Sequence, residues 1–149
     1  MKLGPKGEAL IKSFEELKLV VYPDERGIPT GGWGHTGWYS PEIPMAIGQT
    51  LVEAQAENWF SLDTSSAVNG VIRCLDVSVN QNQFDALVSF AFNCGLHALA
   101  HSTLLRDLNE GRPQDAANEF PKWDYAGGHE SAGLQRRRLA ERSLFLEPA

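Results

Sequence analysis

FEELKLVVYPDERGIPTGGWGHT, residues 14–36, is the stretch on which the fold turns. An amphipathic pattern ends at its head: Leu10, Ile11, Phe14 and Leu17 recur at helical spacing behind Pro5, a residue favoured in an opening turn. Past Leu17 the character changes. Leu19, Val20, Val21 and Tyr22 give way to Pro23-Asp24, Gly27 and a glycine-rich run, which predicts a small antiparallel sheet with tight turns. Glu15 then closes a helix, Asp24 sits in a turn and Thr30 lies on a strand, so the three can converge. An acid, a base and a hydroxyl to hold a water are what cleavage of a glycosidic bond requires. The plainer alternative is two unrelated surface carboxylates.

The remainder of the string weighs against that alternative. Phe14, Glu15, Leu19, Tyr22, Asp24, Gly27, Thr30, Gly32, Gly34, His35 and Thr36 stand in register with the pattern F-E-G-x-x-L-x-x-Y-x-D-x-x-G-x-x-T-x-G-x-G-H-T. In this the chain resembles the phage-type lysozymes, glycoside hydrolase family 24. FNCG (92–95), STLLRDLNEG (102–111) and GLQRRRLAERSLF (133–145) resemble the family's later motifs, in its order. Glu16 departs from the family's glycine and Gly31 from its apolar residue after the threonine.

The resemblance implies an α+β, lysozyme-like fold in one domain, residues 1–149. Its small β lobe would span about 16–50, a connecting helix about 51–74, and a helical lobe 1–15 with 75–149. It further implies a muramidase that hydrolyses the β-1,4 bond between N-acetylmuramic acid and N-acetylglucosamine in peptidoglycan, with inversion. Glu15 would be the acid, Asp24 the base that orients water and Thr30 the hydroxyl that holds it. His35, Thr36, Phe92 and Asn93 are candidate substrate contacts, though a lone histidine beside a glycine run more often braces the sheet through hydrogen bonds, and Phe92 and Asn93 can equally be a core aromatic and a helix-end amide. Arg137 matches the first arginine of the family's R-R-x-x-E motif, which pairs with the catalytic glutamate there. Trp33 and Trp38 could stack on sugar rings or belong to the core.

A general acid must be protonated near neutral pH, held so by burial or by its neighbours. A carboxylate at a helix C-terminus, as Glu15 would be, faces the negative end of the dipole, which suits a proton donor. Glu16 occupies a helix end where a left-handed residue is common, so strain is expected there. The inverting outcome needs carboxylates about 6.5–9.5 Å apart, against about 5–5.5 Å for retention, which residue identity does not fix. Two competing readings remain: a wall-binding module without turnover, and activity on unsubstituted chitin-like glycan.

Composition bounds the rest. A chain of 149 residues, 42% hydrophobic, can bury a core. No apolar run approaches the roughly 18 residues of a membrane span, and MKLGPKGEALIKSFEE lacks a signal peptide's apolar core. The expectation is a soluble monomer made in the cytoplasm that reaches the wall after another agent opens the way. Two cysteines, Cys74 and Cys94, and four histidines fall short of a metal site, so no metal or cofactor is expected. The net charge of −6 argues against nucleic acid, and leaves Arg136, Arg137, Arg138 and Arg142 as the one basic cluster.

Further along, Thr50 with Glu53 and Asn80 with Gln83 read as capping boxes. Ala54, Trp59, Leu62, Val68 and Ile72 are the expected buried side of the long helix, and Leu134, Leu139, Leu144 and Phe145 that of the last one.

Overall fold

A computed structural model describes residues 1–37 and 45–149. The order is α1 (Pro5–Phe14), β1 (Lys18–Pro23), β2 (Pro29–Gly32), β3 (His35–Thr36), α2 (Glu53–Cys74), α3 (Gln81–Cys94), α4 (Leu96–Ala100), α5 (Thr103–Asn109) and α6 (Pro113–Glu119). A 3₁₀ turn (Phe120–Lys122), a hairpin of β4 (Tyr125–Ala126) and β5 (His129–Glu130), and α7 (Ala132–Leu146) complete it. The α+β class is as expected. The chain divides into two compact units, Lys12–Ser65 and Met1–Ile11 with Ser66–Ala149.

In the unit of residues 12–65, β1, β2 and β3 form an antiparallel sheet in that order. Tyr22 pairs with Thr30, Thr30 with Thr36 and Gly31 with His35. The free edge of β1 is covered by residues 48–51: Leu51 N–H donates to Leu19 O at 2.7 Å and Val21 N–H to Gln49 O at 2.9 Å. Thr50 is thereby drawn into a bridge with Val20, and α2 starts only at Glu53. The capping box expected at Thr50 is absent for that reason. Val21, Met45, Leu51 and Trp59 make the core of this unit.

Gly31 is explained here. A Cβ on it would stand 2.8 Å from Leu51 Cδ1 and 3.3 Å from Met45 Cε, so the glycine makes room for the chain that covers the sheet. The strain expected at Glu16 is absent, because no described non-glycine residue has a positive φ. The chain leaves α1 directly for the extended β1, and Glu16, exposed, pairs with Lys18 at 3.1 Å.

The buried stripe of α2 is Ala56, Trp59, Phe60, Thr64, Ala67 and Val71. Of the expected positions only Trp59 is fully buried. Leu62 and Ile72 are exposed, as is Ala54. The inner face mixes small residues with Trp59, Phe60 and Val71, and Gly70 admits Leu96, whose Cδ2 would lie 2.4 Å from a Cβ there.

In the unit built on residues 66–149, Asn80 and Gln83 form the expected capping box at α3, and Ser102 caps α5. Phe84, Leu87, Val88 and Ala91 are buried on α3. Phe90, Phe120 and Phe145 form a chain of ring contacts with centroids 5.8 and 5.5 Å apart. Leu139 is exposed, contrary to its expected core role, and α7 is capped by Ser131.

Asp85 holds the start of α1. Its carboxylate accepts from Gly4 N–H at 2.8 Å, Gly7 N–H at 3.1 Å and Gln81 Nε2 at 2.7 Å. An anion at a helix N-terminus satisfies orphan N–H groups and complements the dipole. Gly4 and Gly7 are glycines because a Cβ on either would come within 2.7 Å of Asp85.

Candidate active site

Glu15 follows the last residue of α1, and its carboxylate lies over the turn between β2 and β3. A Cβ on Gly34 would stand 3.2 Å from Glu15 Oε2, and Gly34 has φ +79°. The positive φ favours glycine at that position, and a Cβ there would also crowd the acid.

Asp24 is fixed by the β1–β2 turn. Its Oδ1 accepts Arg26 N–H at 2.8 Å and Ile28 N–H at 2.9 Å. Its Oδ2 meets the Arg26 guanidinium, Nη2 at 3.1 Å and Nε at 3.4 Å. The Ile28 N–H and then the Arg26 contacts hold this carboxyl below the usual aspartate range, against the opposing effect of desolvation. Asp24 is built to stay ionised.

Thr30, buried on β2, donates its hydroxyl hydrogen to Ile28 O at 3.0 Å. That bond fixes the rotor and leaves the oxygen free to accept from a water. Ile28 thus serves both side chains, its N–H binding Asp24 and its C=O binding Thr30. The β ladder sets Thr30 opposite Tyr22, two residues before Asp24.

His35 is buried in the sheet unit. Its Nδ1 lies 2.9 Å from Asp63 Oδ2, and its ring stacks on Trp59 with centroids 4.5 Å apart. Both partners stand on α2, so the histidine ties helix to sheet. Thr36, on β3, is half-buried. Trp33 is buried beside Phe60, with Lys12 Nζ 4.4 Å from its ring, and so belongs to the core of this unit. Trp38 lies outside the described residues.

The remaining candidates belong to the helical unit. Phe92 is half-buried and Asn93 exposed at the end of α3. Arg137 is buried, its Nε 3.3 Å from Glu141 Oε1 and its Nη2 3.4 Å from Ser89 O. Glu141, fully buried, also accepts from Ser89 Oγ at 2.7 Å and Arg138 Nη2 at 2.9 Å. Arg138 Nε approaches Glu141 Oε2 to 2.7 Å in ion-pair rather than hydrogen-bond geometry. Burial pushes the Glu141 carboxyl up, while both arginines and Ser89 pull it down.

The basic cluster read from the sequence is therefore half internal. Arg138 is wholly buried and lies over the Phe90 ring. Arg136 is exposed and Arg142, half-buried, bonds Asn118. Glu141 is the acid of the R-R-x-x-E motif, and its pairing with both arginines, which the sequence reading did not draw, follows from its i+3 and i+4 spacing.

Cys74 and Cys94 are free thiols. Among the described residues no group of three or more His, Cys, Asp or Glu side chains could hold a metal ion, and no helix is long and apolar enough to cross a membrane.

The family model described as phage lysozyme matches residues 12–141. The endolysin of Bacillus phage PZA is 46% identical over 97% of this chain, which spans 55% of that relative, and the Bacillus phage B103 endolysin is spanned to 54%. The chain thus covers about half the length of these two. It covers 99% of the Salmonella phage P22 endolysin, at 39% identity. Among solved structures, the muramidase domain of SpmX from Asticaccaulis excentricus superposes with a TM-score of 0.88 at 37% identity, covering 99% of both chains. The endolysin from Escherichia coli O157:H7 phage FAHEc1 gives 0.89 at 34%, covering 99% of this chain and 94% of that one. With the family model matching most of its length and a relative 39% identical and covered to 99%, this chain belongs to the phage lysozyme family.

Proposed function

We propose that this chain is an endolysin-type muramidase that hydrolyses the β-1,4 bond between N-acetylmuramic acid and N-acetylglucosamine in bacterial peptidoglycan, acting as a monomer without cofactor once it reaches the cell wall. The observation that carries the reading is the turn at Asp24. It presents an ionised carboxylate beside a hydroxyl whose hydrogen is already committed.

The chemistry follows from those groups. Glu15 protonates the glycosidic oxygen as the bond to the anomeric carbon breaks. A water placed against Asp24 and Thr30 points one hydrogen at each, leaving a lone pair for the anomeric carbon. Asp24 takes the proton released as the new C–O bond forms. A water attacking from the face opposite the leaving group gives inversion. His35 braces the sheet through Asp63 and Trp59, and Thr36, Phe92 and Asn93 are assigned to glycan contact. Arg137, oriented by Glu141, supports the acid in the manner implied by the family motif.

The test pairs a turbidity assay on permeabilised bacteria with one on soluble chitin oligomers. Wild type should clear bacteria and act poorly on chitin. Glu15→Gln should lose activity by at least the 10²–10⁴-fold of about one general acid while keeping its melting temperature. Retention of a tenth of wild-type activity would remove Glu15 from that role. The anomer first formed, read by proton NMR, tests inversion.

A further inference from the structure

We propose that Arg26 is a positioning residue for Asp24, its guanidinium occupying the oxygen that water activation requires and leaving it during each turnover. The inference rests on the assignment of Asp24 as base.

The two carboxylate oxygens of Asp24 are not equivalent. Oδ1 is saturated by two backbone N–H groups of the turn, from Arg26 and Ile28. A water must therefore be activated through Oδ2. That oxygen carries the Arg26 guanidinium, through Nη2 at 3.1 Å and Nε at 3.4 Å. The Arg26 side chain is 73% exposed against 22% for Asp24, so the ion pair sits at the mouth of the turn and opens at small cost.

Arg26 plays two opposed parts. It favours the ionised carboxylate, keeping the base competent at low pH, and it competes with water for Oδ2, which slows the step at neutral pH. Other ionisable groups flanking Asp24 are few. β2 carries none, β1 carries Lys18, paired with Glu16, and the exposed Tyr22, and the turn itself adds Glu25. The reaction is unchanged in its balance: the water proton passes to Oδ2 as the water oxygen bonds the anomeric carbon, and the leaving oxygen takes the proton of Glu15.

The experiment compares pH–rate profiles of wild type, Arg26→Gln, Arg26→Lys and Asp24→Asn on soluble peptidoglycan fragments, with melting temperatures alongside. Arg26→Gln keeps the backbone N–H that shapes the turn. Its plateau kcat should rise about two- to fivefold, the Boltzmann weight of an exposed ion pair that no longer has to open. Its acidic limb should move to higher pH, so that the two profiles cross, and Arg26→Lys should bring that limb back toward wild type. An unmoved limb, or a uniform fall across all pH, overturns the proposal. Asp24→Asn separates this failure from that of the base assignment: an active Asp24→Asn enzyme removes both, whereas an inactive one beside an unmoved limb removes only the role of Arg26.

Discussion

Replacing Asp85 with alanine should destabilise the protein severely without touching the proposed chemistry. The carboxylate is 1% exposed and accepts three hydrogen bonds. Two come from the first N–H groups of α1, which have no partner within the helix. Bonds to a charged group contribute about 1.5–3 kcal/mol each, and such contributions overlap within one cluster. Water entering the vacated space would recover part of the loss. The net cost should be about 3–5 kcal/mol, which for a domain near 150 residues lowers Tm by about 6–20 °C. Urea unfolding with an unchanged m-value is the assay. Activity well below the new Tm should stay near wild type, since α1 still delivers Glu15 when folded. A loss under about 1 kcal/mol would refute the view that this anion holds the helix start.

Three further outcomes follow from the geometry. Asp24 has a folded-state carboxyl below its unfolded value, so its ionisation adds stability above the unfolded range near about pH 3.9, and that contribution is lost as pH falls through the lower folded value. The difference in Tm between wild type and Asp24→Asn should accordingly be present at pH 6 and disappear near pH 2; a difference independent of pH would discount the charge. Glu141→Gln leaves two buried arginines without their carboxylate and should cost about 3–5 kcal/mol in urea unfolding, and a neutral result would mean that the arginines find other acceptors. Because Arg137 and Arg138 are internal, the net charge of −6 dominates the surface. Lysis should hold or rise as salt goes from about 10 to 150 mM, which shortens the Debye length from about 30 to 8 Å; a steep monotonic fall would show that Arg136 and Arg142 outweigh it.

The elements legible in the sequence were those specified by neighbours. The glycine-punctuated strands and the Asn80–Gln83 box depend on residues a few positions apart, as do the turn at Asp24 and the hydroxyl at Thr30. What escaped depends on distant partners. Nothing local marks Asp85 as the cap of a helix that begins eighty residues earlier. On α2 the apolar pattern pointed to Leu62 and Ile72, but the inner face mixes Trp59, Phe60 and Val71 with Ala56, Thr64, Ala67 and Gly70, the last set by how closely Leu96 approaches. Arg137 and Arg138 stood in the sequence only as part of a basic cluster, and their burial against Glu141 depends on packing that local pattern does not carry. Thr50 carried a capping signature that pairing with β1 overrode. The β4–β5 hairpin was readable in principle, since Gly127-Gly128 is a two-residue turn sequence.

The division of α2 between the two compact units has a consequence for how this protein opens. One helix of 22 residues serves two cores: its first part grips His35 through Trp59 and Asp63, one turn apart, and its second part receives Leu96 at Gly70. Amides of a single helix ordinarily exchange with solvent as one cooperative block, yet here protection is lent by separate bodies of side chains. The helix should breathe in halves, with residues 53–65 exchanging in step with the sheet and residues 66–74 in step with α3 and α4. Its backbone is continuous, but its stability is borrowed from two lenders, and the seam at Ser65–Ser66 is where partial unfolding of the sheet unit would come to rest.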